Sequence, residues 1–192
     1  FGREQDSWQT DLEIPVAPLD GAAVGRKIAA LEAKNNAKTP IGASLEKVAD
    51  DLKGVKGDRL VIVLTDGEET CGGDPAAAIQ SLVSQGISTQ VNIVGFAIDD
   101  AKLAAAFRHW SDLGGGMYFN ASDAAGLNQA MAEAMKPAFE VLDSSGQVVA
   151  EGLVDGEAIR APAGKLTVRI KREKTKSVPI VVKPKETSQV QM

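Results

Sequence analysis

The stretch VIVLTDGEETCGGD, residues 61–74, carries the side chains with the most potential for chemistry. Asp66 stands where an apolar, β-branched run ends, and Glu68 and Glu69 come shortly after it. In open α/β sheets the ligand crevice lies beyond the carboxyl ends of the strands, so Asp66 is in a position to face a ligand. An aspartate before a glycine is also a common turn residue, and a turn or cap role is the alternative.

A second oxygen donor is Thr39, in the segment TPIGASLEKVADDL. The pattern predicts a helix with Thr39 as its N-cap and Pro40 as its first residue. If that helix packs beside the strand that precedes Asp66, Thr39 reaches the same edge of the sheet. A hydroxyl and a carboxylate there suit a hard divalent cation, although two oxygens alone do not hold magnesium.

Other residue types give little support for catalysis. Cys71 is the single cysteine, which excludes an internal disulfide and a cysteine-rich zinc site. The single histidine, His109, falls in a different predicted helix, so no base for a nucleophile is evident. Gly114, Gly115 and Gly116 precede a strand and open no helix, which predicts a tight turn and not a phosphate cradle. We therefore predict no catalytic residue.

Helices and strands alternate through the first two thirds of the chain. The predicted order is helix 19–35, helix 39–52, strand 59–65, a helix from Asp74-Pro75 to Gly86, strand 89–97, helix 101–113, strand 117–120 and helix 123–135. This alternation predicts right-handed βαβ crossovers and a doubly wound, mainly parallel α/β sheet. The continuous apolar run 59–65 predicts a strand covered on both faces. The residues expected inside are Val24, Ile28 and Leu31 in the first helix and Ile79, Leu82 and Val83 in the third.

The pattern changes at Pro137. FEVLD, QVVAEGL and KLTVRIKR are short segments with period-2 alternation, separated by DSSG and APAG. Residues 138–192 are therefore predicted to form a small antiparallel β module, distinct from an α/β domain over residues 1–137.

Composition limits the classes of partner. The formal net charge is −5, with 12 Lys and Arg against 19 Asp and Glu in residues 1–137. An acidic main domain argues against nucleic-acid binding. The longest apolar runs, such as Leu60–Leu64, are too short to cross a bilayer. The chain begins with Phe1 and has no signal-peptide pattern, so we expect any targeting signal to lie outside it.

The segments KTPIGASLEKVADDL, RLVIVLTDGEETCGGDP, GISTQVNIVGFAID and GGGMYFNASDAAGLNQAM resemble the second half of a von Willebrand factor type A (vWA) domain of the bacterial branch. The resemblance covers most of residues 1–136 and implies a Rossmann-like sheet. In that family a metal-ion-dependent adhesion site takes ligands from a D-x-S-x-S motif, from the threonine of a T-P sequence and from the aspartate of a T-D-G sequence. By this resemblance Thr39 and Asp66 are ligands of Mg²⁺, or of Mn²⁺ or Ca²⁺, and Glu68 and Glu69 lie at the rim of the site.

Two features depart from the family pattern. The D-x-S-x-S motif is missing, since Asp143-Ser144-Ser145 falls in a predicted turn of the β module. The opening FGREQDSW resembles the segment after the third strand of the fold, so we expect the first strands and the motif on an upstream segment or another chain. Relatives often carry a second cysteine after the F-G, and its absence here predicts an unpaired Cys71.

The resemblance implies a protein-binding module whose metal accepts an Asp or Glu carboxylate of a partner. It also implies a periplasmic, cell-surface or secreted location. Two alternatives stay open. One is a structural assembly subunit with a vWA fold that binds no metal. The other is a metal-dependent hydrolase, for which the spacing of Asp66 and Glu68 is the sole support.

Overall fold

A computed structural model of the protein describes residues 10–32, 37–85, 89–171 and 177–191. Its elements are α1 (Gly21–Ala29), α2 (Ile41–Asp51), β1 (Arg59–Thr65), α3 (Pro75–Ser84), β2 (Thr89–Phe96), α4 (Ala101–Leu113), β3 (Tyr118–Ala121), α5 (Ala124–Ala134), β4 (Ala138–Leu142), β5 (Val148–Leu153), β6 (Gly164–Ile170) and β7 (Ser177–Val182). The described parts of residues 1–59 and 66–87 form one compact unit, and those of residues 60–65 and 88–192 form a second.

The first unit contains α1, α2 and α3, and its packing is between α2 and α3. Helix α3 begins as the sequence predicts, and α1 begins at Gly21 with Asp20 as its N-cap. Asp20 accepts a hydrogen bond from the Ala23 amide at 2.9 Å, and Asp74 accepts one from the Ala77 amide at 3.0 Å, with Pro75 as the first helical residue. The largest buried side chains of α2 and α3 are Ile41, Leu45, Ile79 and Leu82.

Three predicted core residues of this unit are exposed. Ile28 and Leu31 are 60% and 55% exposed, and α1 buries no side chain among the described residues. Residues 21–29 do form a helix, but nothing in the described part of the chain covers its apolar face. Val83 is 46% exposed because the buried stripe of α3 runs through Ala78, Ile79 and Leu82. Gly86, the predicted end of that helix, lies outside the described residues.

The second unit contains a three-stranded sheet in the order β1-β2-β3, and β2 pairs with β3 in parallel. Helices α4 and α5 pack against β2 and β3. The predicted α/β fold is confirmed. Phe107 of α4 is fully buried. The residues around β3 and α5 form a core of Val94, Phe119, Ala121, Ala130 and Ala134.

Strand β1 is less buried than predicted. It lies at one end of the sheet order, and Leu64 is 43% exposed although Val63 and Thr65 are buried. The prediction that both faces of this strand are covered is therefore wrong at Leu64. A terminal strand has a neighbour on one side only, and a continuous apolar run does not reveal that position.

A buried amide joins three elements of the second unit. Asn92 of β2 is fully buried, and its Nδ2 donates to the carbonyl of Ala134 at the end of α5 at 2.6 Å. Its Oδ1 accepts from the Met117 amide and from Gln90 Nε2, each at 2.9 Å. Burial of an amide is favourable only where its polar atoms are paired, and here they are.

The turn between α4 and β3 explains the triple glycine. Gly115 has a φ of 64°, the left-handed conformation that glycine adopts without strain. A Cβ at Gly116 would stand 1.9 Å from the carbonyl oxygen of Val91, so no larger residue fits. The predicted tight turn is confirmed.

The remaining residues form a four-stranded antiparallel sheet in the order β5-β4-β6-β7. Its core holds Val141, Leu166 and Val168. Strand β7 was not among the predicted segments, because Pro179 interrupts its pattern. Pro179 sits opposite Thr167 in the pairing of β7 with β6, and the terminal position of β7 is one that tolerates proline. The domain boundary at residue 137 stays a prediction.

The Asp143-Ser144-Ser145 sequence makes the turn between β4 and β5. Asp143 Oδ1 accepts hydrogen bonds from the Ser145 hydroxyl at 2.6 Å, the Ser145 amide at 2.8 Å and the Gln147 amide at 3.0 Å. These hydrogen bonds, that from the Ser145 side chain first, hold the pKa of Asp143 below its ordinary value of 3.8. The carboxylate is therefore committed to shaping the turn.

We expect Asn92→Ala to lower the free energy of unfolding by about 3 kcal/mol, because the Met117 amide, the Ala134 carbonyl and the Gln90 amide lose a buried partner. Urea unfolding followed by circular dichroism measures this. Asn120→Ala is the matched control: Asn120 is exposed and makes one long bond of 3.4 Å, so its loss should cost less than about 1 kcal/mol. Equal effects of the two variants would contradict the role given to Asn92.

The Asp143 carboxylate gives a pH-dependent prediction. Because the pKa is lower in the folded state, its contribution to stability is present above pH 3.8 and is lost as the pH falls through the lowered value. An NMR titration should place the Asp143 midpoint below 3.8, and Ser145→Ala should raise it toward that value. A midpoint unchanged by Ser145→Ala would show that the serine does not hold the carboxylate.

Candidate functional site

The first unit brings Thr39 against the loop that begins at Asp66. The Thr39 amide donates to Thr70 Oγ1 at 2.7 Å, and the Thr70 amide donates to the Thr39 carbonyl at 3.1 Å. Thr70 lies four residues after Asp66, and Asp66 directly follows the last residue of β1. The two predicted metal ligands therefore lie on segments that two hydrogen bonds join.

Thr39 is not the N-cap of α2. The helix begins at Ile41, with Pro40 in the capping position and no side-chain cap, so the predicted start is wrong by one residue. The Thr39 carbonyl still accepts from the Ile41 amide at 3.1 Å. Within the described part of the chain, no hydrogen bond engages the Thr39 hydroxyl. It is available to a ligand.

Asp66 and the two neighbouring glutamates have different environments. Asp66 and Glu68 are exposed, whereas Glu69 is half-buried. Glu69 Oε2 accepts from the Gly42 amide at 2.8 Å, and its Oε1 accepts from the Cys71 amide at 2.6 Å. The Glu69 carboxylate thus ties the first turn of α2 to the loop that contains it.

The sequence did not reveal this role of Glu69 or that of Thr70. The first N–H groups of a helix have no partner within the helix, and a carboxylate is a favourable acceptor for them. The acceptor normally sought is a residue at or near the helix start. Here Glu69 and Gly42 are 27 residues apart, so no local pattern could have identified the pair.

The start of α2 and the end of the loop before α3 are in very close contact. A Cβ at Gly42 would stand 2.9 Å from the Asp74 nitrogen and 3.1 Å from the carbonyl carbon of Gly73. A Cβ at Gly73 would stand 3.2 Å from the Gly42 Cα. The glycines of TPIG and CGGD are therefore required by the approach of the two backbones.

The remaining candidates do not join this group. Cys71 is a free, buried thiol, 3% exposed, in agreement with the predicted unpaired cysteine. His109 is exposed on α4.

The donor atoms present fit a hard cation only in part. The Thr39 hydroxyl and the Asp66 carboxylate are oxygen donors of the kind that Mg²⁺ prefers. In the ranges that the structure describes, no three His, Cys, Asp or Glu side chains come together as they would around a metal ion. None of the helices described combines the length and the apolarity needed to cross a bilayer.

Alternating helices and strands, a parallel strand pair and an aspartate directly after a strand define a doubly wound α/β protein. The chain belongs to the von Willebrand factor type A domain family, whose model matches residues 7–133. This match confirms the family that the T-P and T-D-G segments predicted.

Two relatives come from Bacillus subtilis (strain 168). The uncharacterized protein YwmD is 36% identical over 115 residues, which are 59% of this chain and 50% of YwmD. The uncharacterized protein YwmC is 38% identical over 85 residues, which are 43% of this chain and 36% of YwmC. The chain thus spans half or less of the length of these relatives.

A solved structure is also similar. It is the crystal structure of an aerotolerance-related membrane protein from Bacteroides fragilis NCTC 9343 with multiple mutations to serines. The two chains are 23% identical, with a TM-score of 0.43, and the match covers 58% of this chain and 67% of the other.

We expect Gly42→Ala to lower the free energy of unfolding by about 1–3 kcal/mol, since the new methyl group meets the backbone of Gly73 and Asp74. Gly25→Ala is the control within a helix, because a Cβ there meets nothing within 4 Å. It should raise stability by up to about 1 kcal/mol through helix propensity. Urea unfolding of both variants checks this, and a stabilised Gly42→Ala would contradict the close packing.

Proposed function

We propose that this chain is part of a divalent-cation-dependent protein-binding module. Thr39 and Asp66 supply two oxygen ligands of a metal-ion-dependent adhesion site, and a D-x-S-x-S motif from outside this chain supplies others. The observation that carries the proposal is the pair of hydrogen bonds between Thr39 and Thr70, since they hold the T-P turn against the loop that starts at Asp66.

The properties of the two ligands support this assignment. Asp66 is exposed, and no hydrogen bond from the described residues occupies the Thr39 hydroxyl. Both are hard oxygen donors, which favours Mg²⁺ and also admits Mn²⁺ or Ca²⁺. When bound, a divalent cation would supply positive charge at Thr39 and Asp66, which a carboxylate could neutralise.

We propose an Asp or Glu carboxylate as the partner group. Residues 1–137 carry seven more acidic than basic side chains, so an acidic partner is repelled unless a cation stands between the two surfaces. Binding should therefore depend steeply on the cation. The family resemblance supports a periplasmic, cell-surface or secreted location, and we assign no enzymatic activity.

One observation favours a second candidate, a structural assembly subunit that binds no metal. Leu64 is 43% exposed on β1, which stands at the end of the described three-stranded sheet. An exposed apolar side chain on a terminal strand favours assembly with another chain at that edge. Such assembly would not depend on a divalent cation, which separates this function from the first.

We expect Asp66→Ala and Thr39→Val to weaken Mg²⁺ binding by the full-length polypeptide at least about tenfold, because each removes one oxygen ligand. Isothermal titration with MgCl₂ measures the affinity. Asp112→Asn, an exposed carboxylate on α4, is the control and should bind as the wild type does. Wild-type protein that binds no Mg²⁺, or equal binding by all variants, would contradict the proposed site.

A further inference from the structure

We infer that Glu69 and Thr70 are positioning residues of the proposed site. Their hydrogen bonds hold the T-P turn and the start of α2 against the 66–73 loop, and so restrict where the Thr39 hydroxyl can lie. Neither has to touch the metal or the partner. The effect on cation affinity rests on the proposed function, whereas the hydrogen bonds of Glu69 and Thr70 are present in the chain without a cation.

Glu69 is already occupied as a hydrogen-bond acceptor. One carboxylate oxygen accepts from the Gly42 amide at 2.8 Å and the other from the Cys71 amide at 2.6 Å. The Gly42 amide belongs to the first turn of α2, where a negative charge is also favourable toward the helix dipole. A shift of the Glu69 side chain toward a metal or a partner would break hydrogen bonds to two backbone N–H groups, whereas an exposed carboxylate such as Glu68 could move at lower cost.

Thr70 makes hydrogen bonds to both the amide and the carbonyl of Thr39. Its hydroxyl accepts from the Thr39 amide at 2.7 Å, and its amide donates to the Thr39 carbonyl at 3.1 Å. The helix contacts Thr39 through the Ile41 amide, which donates to the Thr39 carbonyl at 3.1 Å, and Pro40 has no N–H to donate. Thr70 adds two further hydrogen bonds from across the loop.

The close approach of Gly42 and Gly73 leaves these contacts little freedom. A Cβ at Gly73 would stand 3.2 Å both from Glu69 Oε2 and from the Gly42 Cα. The carboxylate therefore lies between two backbones that are nearly in contact. Movement of the 66–73 loop away from α2 would have to break the Glu69 and Thr70 hydrogen bonds together.

A fixed Thr39 hydroxyl is useful to a metal site. A donor that is already in place loses less conformational freedom when the cation binds, and residues that orient a ligand affect affinity almost as strongly as the ligand itself. Glu69 and Thr70 would then set the affinity for the cation through Thr39. This differs from the rim role that the resemblance gave to Glu69.

The test uses three variants of the full-length polypeptide: Thr70→Ala, Thr70→Ser and Glu69→Gln. Thr70→Ser keeps the hydroxyl and should behave as the wild type. Glu46→Gln, an exposed carboxylate on α2, is the matched control for the loss of one charge. Glu69→Gln preserves size but presents an NH₂ group to one of two N–H donors, so it should disturb the contact without emptying the space.

The first readout needs no metal. Amide hydrogen exchange and the Thr39 methyl order parameter, both by NMR, report whether the T-P turn is held. We expect Thr70→Ala to raise exchange at Thr39 and the mobility of its methyl group, and Glu69→Gln to raise exchange at Gly42 or at Cys71, whichever amide then faces the NH₂ group. Unchanged exchange and mobility in both variants would contradict the claim that Glu69 and Thr70 hold the T-P turn against the loop, whatever the result with the metal.

The second readout is Mn²⁺ affinity, measured by electron paramagnetic resonance with MnCl₂. We expect Thr70→Ala and Glu69→Gln to lose about 10- to 100-fold, with Thr70→Ser and Glu46→Gln within about twofold of the wild type. A mobile Thr39 with unchanged affinity would overturn the positioning role alone. Wild-type protein that binds no Mn²⁺ would instead contradict the proposed function and, with it, the effect on affinity. If Thr70→Ala fails to fold, Glu69→Gln carries the same comparison.

Discussion

The structure around the candidate site depends on one carboxylate that satisfies two backbone amides. Glu69 accepts from Gly42 at the start of α2 and from Cys71 in its own loop, so groups that folding removes from water keep a partner. The same loop then leads to Asp74, which caps α3. Because α2 and α3 pack together, this one acidic side chain links the start of α2 to the loop that leads into α3.

In the second unit, a side-chain amide and not a carboxylate provides hydrogen-bond partners for buried backbone groups. Asn92 pairs with the amide of Met117 just before β3, with a helix carbonyl and with the nearby Gln90, while fully buried. In both units a polar side chain far along the sequence completes backbone hydrogen bonds that no regular element completes. Such contacts specify one arrangement, because leaving any member unpaired in the interior is costly.

Much of the fold was legible from the sequence, because its signals are local. The run RLVIVLT, the Asp74-Pro75 helix start and the triple glycine each specify their own conformation, and their order indicates the family that the match over residues 7–133 confirms. Burial was less predictable, since the exposure of Leu64 and Ile28 depends on which surfaces cover them. Strand β7 was not predicted because Pro179 interrupts its pattern. The contacts of Glu69 and Thr70 span 27 and 31 residues, so no local pattern indicates them.

The site shows the same division. The types and contexts of Thr39 and Asp66 made them candidates, but the residues that join their segments came from the three-dimensional structure alone.

The central claim is that one cation binds Thr39 and Asp66 together. Paramagnetic broadening of the amide NMR signals of the full-length protein by substoichiometric Mn²⁺ tests it most directly. We predict that the signals of residues 39 and 66 broaden first and to a similar extent, and that EDTA restores them. Broadening of one without the other, or of neither, would contradict the claim.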